Sequence, residues 1–157
     1  MAASKKKKVV KCKQPPQTGI AVEKDPNRFF GSSPSWKFSG ADMDPGCSWS
    51  ICKQHLQNAF WDEVLTRLRA FESMSYEEIF VQGKKHHHEI DVLQLNKVAI
   101  KRLEELQLEL EALRSLKISA THRIYGYIVD QTFYILWYDD NHGDNSTCVC
   151  RSRKKHT

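Results

Sequence analysis

Nothing in the 157 residues has the length or apolarity of a membrane span. The longest unbroken apolar run, Phe133–Tyr138, is six residues, far below the ~20 that a bilayer requires. Lys5 to Lys8 are followed only by Val9 and Val10 before Lys11, so the basic start lacks the apolar core of an export leader. Cysteine is scarce and odd in number, five residues at 12, 47, 52, 148 and 150. Together with the missing leader, this argues against a disulfide scaffold and for reduced thiols. No phosphate-cradling Gly loop, no Ser/His/Asp order and no internal repeat stands out. A soluble, cytoplasmic protein with no membrane partner is expected.

Acidic residues are also missing from both ends. Residues 1–13 carry six lysines and no acid, and residues 145–157 carry Arg151, Arg153, Lys154 and Lys155 with no acid. Subtracting these ten from 24 basic residues leaves 14 against 19 acidic ones in the middle, a net of −5. Clustered cations mark a polyanion partner, because each neutralised phosphate releases counterions. Arg151, Arg153, Lys154, Lys155 and His156 therefore read as a polyanion-binding run. A solvated basic tail is the plain alternative for the N-terminal lysines.

What is present suits one domain behind an arm. Residues 1–35, with Pro15-Pro16, Asp25-Pro26 and Ser32-Ser33-Pro34, read as a basic, proline-containing, flexible arm. The domain proper is placed at 36–157. Trp36-Lys37-Phe38 alternates as a short strand, and Asp44-Pro45-Gly46 is a turn signal. Leu56, Phe60, Val64, Leu68 and Phe71 recur every three or four residues, predicting a helix of about five turns. Ser75-Tyr76-Glu77-Glu78 is a capping box for a short helix ending at Gly83. Asn96 is the expected N-cap of a third helix, with a Leu95/Ile100 staple and a stripe through Ala99, Leu103, Leu106, Leu110 and Leu113.

The period then drops to two. Leu116-Lys117-Ile118, His122–Val129 and Thr132–Tyr138 read as strands, the last two joined by Asp130-Gln131 at hairpin spacing. Thr147–Arg151 is a possible final strand. Helices segregated from strands predict an α+β fold, an antiparallel sheet of about four strands covered on one face by helices. Strand parity sets Lys117 opposite Leu116 and Ile118, and Arg123 opposite His122. Lys117 and Arg123 are thus expected on the open face of the sheet, away from the core.

The metal signals are weaker. Lys84-Lys85-His86-His87-His88 holds three adjacent histidines, which cannot all face one ion on a regular strand. Cys47, Cys52, Cys148 and Cys150 lack paired C-x2-C spacing. Metal and cofactor are both read as none, with a small zinc-binding nucleic-acid-binding module kept as one alternative.

The stretch Leu113–Tyr127, with its basic and apolar strand followed by His122-Arg123-Ile124-Tyr125, then an aromatic strand ending in Asp-x-x-His, resembles the RelE/ParE superfamily of type II toxins. The resemblance covers about residues 90–157. It implies a RelE-like fold and a toxin that cuts mRNA on the ribosome without a metal. It also implies a cognate antitoxin protein as partner, with DNA reached only through that antitoxin. Arg123 matches the strand arginine that stabilises the scissile phosphate, Lys117 a basic strand position, and His142 a histidine after the last long strand. All three are the expected catalytic residues. A ParE-like inhibitor of gyrase, catalysing nothing, is the other family alternative. The chemistry is self-consistent: RNA carries its own 2′-hydroxyl nucleophile, arginine can engage two phosphate oxygens, and histidine transfers protons near neutral pH.

Overall fold

The computed structural model describes residues 29–143 and 147–150. Among these residues five strands form one sheet: β1 (Ser35–Lys37), β2 (His88–Asp91), β3 (Ala112–Lys117), β4 (Arg123–Val129) and β5 (Thr132–Asp139). Their order across the sheet is β1-β5-β4-β3-β2. β2 through β5 pair antiparallel, whereas β1 runs parallel to β5 with Trp36 opposite Phe133. The fold is α+β as expected, with one strand more than predicted. β2 escaped notice because His88-Glu89-Ile90-Asp91 is a charged edge strand with a single apolar residue, as edge strands commonly are.

The sheet is covered on both faces, not one. On the first face Leu116, Ile118, Ile124, Phe133, Ile135 and Tyr138 pack against Leu56, Val64, Leu68, Phe71, Tyr76 and Ile79. On the second, Leu113, Tyr125, Tyr127, Leu136 and Trp137 pack against Trp49, Leu95, Ala99, Leu103 and Val149. Sequence periodicity assigned every helix to one side. The chain instead sends the third helix across to the other, and that leaves no open sheet face for Arg123. Packing also begins earlier than residue 36: Phe29 is buried, and Arg114 stacks between the Phe29 and Phe80 rings.

The helices are shorter and more broken than their periodicity. α1 (Lys53–Leu56) stops at Gln57, whose φ is 47°, and a π-helical turn over Phe60–Val64 precedes α2 (Leu65–Phe71). The predicted capping box forms reciprocally: Glu78 N donates to Ser75 Oγ at 3.2 Å and Ser75 N to Glu78 Oε2 at 2.7 Å. It opens a π-helical turn over Glu78–Gln82 that stops at Gly83. α3 (Lys97–Glu105) has the expected cap, Val98 N donating to Asn96 Oδ1 at 2.9 Å.

α3 ends one stripe early. Gln107 takes φ 56°, Gln107 N donates to Glu104 O, and Leu108 N reaches back to Leu103 O. This is a Schellman stop with its Leu103/Leu108 apolar contact, made with glutamine where glycine is usual. Leu113 consequently belongs to β3 rather than to the helix.

Two irregularities aim the end of the sheet. The β4–β5 turn has positive φ at Asp130, which an aspartate tolerates better than most residues. A bulge follows: Tyr125 pairs Trp137 while Gly126 pairs Ile135, leaving Leu136 unmatched. Leu136 and Trp137 therefore both enter the second core, and Tyr138 turns to the first. Gly126 is required here, because a Cβ would collide with Tyr134 O and the Phe133 ring. The loop before α1 is pinned by buried Asp42, which accepts from Arg102 Nε at 2.8 Å, Arg102 Nη2 at 2.9 Å and Trp137 Nε1 at 3.1 Å. Burial raises the Asp42 pKa, but the Arg102 and Trp137 bonds more than offset it and hold the group below its ordinary value. No helix among the described residues is long and apolar enough to cross a membrane.

Candidate functional site at the β3–β4 turn

β3 and β4 are joined by a tight turn, with Ile118 N and Ser119 N both donating to His122 O. The Ser119 and Ala120 carbonyls still need donors. Arg123 supplies them, one guanidinium nitrogen donating to Ser119 O at 2.6 Å, His122 O at 2.9 Å and Ala120 O at 3.3 Å. Arg123 is only 8% exposed. The expectation that it lies on an open sheet face is thus corrected: both faces are covered and the side chain clamps the turn. Burial lowers its pKa, opposed by nearby Tyr125, Cys148, Cys150 and Asp139.

Strand register places Lys117, Arg123 and Asp139 in one row across β3, β4 and β5. Lys117 is half-buried, and its backbone N–H donates to His87 Nδ1 at 2.9 Å. His87 itself is buried against Phe71, and burial, then Arg67, push its pKa down to about 4. One member of the three-histidine run is therefore a neutral structural acceptor.

On the first face, next to the turn, His122 Nδ1 meets the Glu63 carboxylate and lies 2.9 Å from the Tyr138 hydroxyl. Glu63 arrives from the π-helical turn, a distortion that often re-aims a side chain at a working site. His55 Nε2 sits 3.2 Å from Tyr138 O. Burial and then Glu63 raise the Tyr138 pKa, so the phenol stays protonated. A carboxylate on Nδ1 fixes the tautomer in which that nitrogen carries the proton, leaving Nε2 as the acceptor. Such an arrangement suits proton transfer. Arg67, one helical turn beyond Glu63, donates to Lys117 O at 3.4 Å.

On the second face His142 has different company. Its N–H donates to Thr121 O at 2.9 Å, which lays the loop after β5 against the same turn. Nδ1 lies 3.6 Å from Cys148 Sγ and 3.7 Å from Cys150 Sγ, and the two sulfurs are 2.6 Å apart. Buried Asp139 holds both arms of the loop, accepting from Asn141 N at 2.9 Å and Val149 N at 2.8 Å. The Cys148 thiol, bonded to Cys150, lowers the Cys150 pKa, and that same contact raises Cys148.

The predicted trio Lys117, Arg123 and His142 does gather at one end of the sheet, and the basic run begins at the residue after Cys150. Arg151, Arg153, Lys154, Lys155 and His156 themselves lie outside the described residues, as do 1–28. The four thiols do not form one cluster. Cys47 adjoins Asp42 and Arg102, with burial raising its pKa to about 11, while Cys52 is bonded to Ser50. Sequence reasoning missed Glu63 and Tyr138 as partners of His122, since nothing in spacing connects a helix carboxylate with a strand histidine 59 residues away. It also dismissed Cys148-x-Cys150, although His142-x5-Cys-x-Cys was readable as a short chelate. No family model, curated protein or solved structure matches this chain.

Proposed function

We propose that the chain is a toxin of the RelE-like kind, acting in the cytoplasm on ribosome-bound mRNA and held by a cognate antitoxin. The observation that supports this best is the Glu63–His122 pair, set at the sheet end where Lys117 pairs with Arg123. His122 Nε2 accepts the proton of the RNA 2′-hydroxyl, with Glu63 holding the imidazole. The 2′-oxygen then attacks phosphorus, giving a 2′,3′-cyclic phosphate and, after protonation from water, a 5′-hydroxyl. Lys117 and the run Arg151–Lys155 bind backbone phosphates, a role that needs charge rather than exact aim. Arg123, one guanidinium nitrogen of which is held by the turn carbonyls, keeps the turn in shape.

Primer extension on translated messages after induction tests this reading. Codon-linked cuts with the parent chain, and their loss with folded His122→Gln, are expected. Growth arrest without cuts would point to the ParE-like alternative, in which a topoisomerase is the target. Cuts that persist undiminished in His122→Gln would remove His122 from the mechanism.

A further inference from the structure

The sheet end holds a second group of reactive side chains that RNA cleavage does not use. Among the described residues His142, Cys148 and Cys150 form the one group of three or more such ligands gathered closely enough for one ion, their donor atoms lying within 4.8 Å of one another. Two thiolates and an imidazole are a borderline-soft set, which favours zinc over hard cations. We propose that His142, Cys148 and Cys150 bind one zinc ion, with the fourth tetrahedral position open to water.

The distances already approach that geometry. Metal–sulfur bonds near 2.3 Å and metal–nitrogen bonds near 2.0 Å put the sulfur–nitrogen edges of a tetrahedron at about 3.5 Å and the sulfur–sulfur edge at about 3.8 Å. The two observed sulfur–nitrogen separations are 3.6 and 3.7 Å. The thiols, 2.6 Å apart, need to part by about 1 Å, within reach of side-chain rotation. Cys148 and Cys150 flank a bend at Val149 that brings both thiols together, while Val149 itself plugs the second core.

The backbone around the site is held before any ion arrives. Val149 N is bonded to Asp139, Val149 O accepts from Asn96 N at 2.8 Å, and Cys150 bridges Leu95. His142 is fixed at its backbone by Thr121 O. Charge is also matched. Zinc with two thiolates and a neutral imidazole carries no net charge, and Arg123 lies in electrostatic range of both sulfurs. The buried Tyr125 hydroxyl adjoins Cys150 without a hydrogen bond of ordinary geometry, and a thiolate there is the acceptor it lacks. Zinc binding is independent of the RNA reading and stands or falls by itself.

Cobalt(II) is the probe, used on the full chain stripped with chelator and kept in reducing buffer. One equivalent should give a thiolate-to-cobalt charge-transfer band of two-thiolate intensity and a tetrahedral ligand-field spectrum, both erased by one equivalent of zinc. Cys148→Ser/Cys150→Ser should abolish the band, and His142→Ala should weaken binding at least about tenfold. His86→Gln/His88→Gln and Cys47→Ser should leave it intact. If the double variant fails to fold, alkylation of the parent chain answers the same question. Zinc should protect Cys148 and Cys150 from modification, with Cys47 as the internal control. No charge-transfer band, a band surviving in the folded double variant, or a Cys148–Cys150 disulfide that persists under reductant would overturn the site.

Discussion

Two histidines flank one turn and differ in what stands beside them. His122 immediately precedes β4 and faces the first core, where Glu63 and the Tyr138 hydroxyl meet its Nδ1. His142 follows β5 and faces two thiols across the sheet, tied to the same turn through Thr121 O. A carboxylate orients an imidazole for proton transfer, whereas two thiols at tetrahedral edge lengths from it suit the metal binding proposed above. Arg123 lies between them, clamping the turn that both depend on. Residue type alone does not assign a role, since the same side chain is proposed as base at His122 and as ligand at His142, and at His87 is a buried hydrogen-bond acceptor.

The largest test of this contrast exchanges losses. His122→Gln should lower RNA cleavage by about 100- to 10,000-fold, the usual worth of a proton-transfer group, and leave cobalt binding unchanged. Cys148→Ser/Cys150→Ser should do the reverse. Quantitative cleavage and cobalt titration on the same preparations decide it, and a variant that loses both properties would merge the two flanks into one site.

His87 provides the second test, through pH. Its folded pKa of about 4 lies below the unfolded value near 6.5, so the neutral form is the one the fold prefers. The stability it contributes is complete above pH 6.5 and is lost progressively as pH falls from about 6.5 to 4, a change of about 3 kcal/mol at 1.36 kcal/mol per unit. Denaturant unfolding at pH 7 and pH 4.5 measures it. His87→Gln should flatten that part of the profile, and an unchanged slope would remove His87 as its source.

Arg123→Ala should cost about 1–3 kcal/mol, because Ser119 O and Ala120 O lose their donor. Thermal unfolding should record the loss, and an unaltered midpoint would show that the clamp is not needed. A fall in cleavage no larger than the loss of folded protein is expected, unlike His122→Gln. The smallest effect belongs to Lys117→Ala. Stability should stay within about 0.5 kcal/mol, RNA binding should weaken uniformly across sequences, and the salt slope of binding should drop by about one.

Much of this local structure was legible in the chain. The Asn96 cap and the Ser75/Glu78 box are satisfied by atoms within three residues, so sequence order almost determines them. The Asp130-Gln131 hairpin and its flanking aromatic strands follow from spacing for the same reason. The end of α3 was not legible, since its stop is a Schellman pattern with glutamine at the left-handed position. The break at Gln57 was hidden likewise, behind an apolar stripe that continues across it on one face.

The functional end divides along the same line. By itself the sequence determined the α+β class, the alternation that puts His122 and Arg123 on opposite faces, and the charge that collects at both termini. Those properties depend on periodicity and composition, which are local or additive. Only the tertiary structure decided that both sheet faces are covered, turning Arg123 from a surface cation into a turn clamp. It also chose which partners each histidine meets. Glu63 reaches His122, and Cys148 reaches His142, only after the bulge at Tyr125/Gly126, the π-helical turn and the Asp139 loop have set their angles. Those angles come from close packing between segments distant in the chain, where no spacing rule operates.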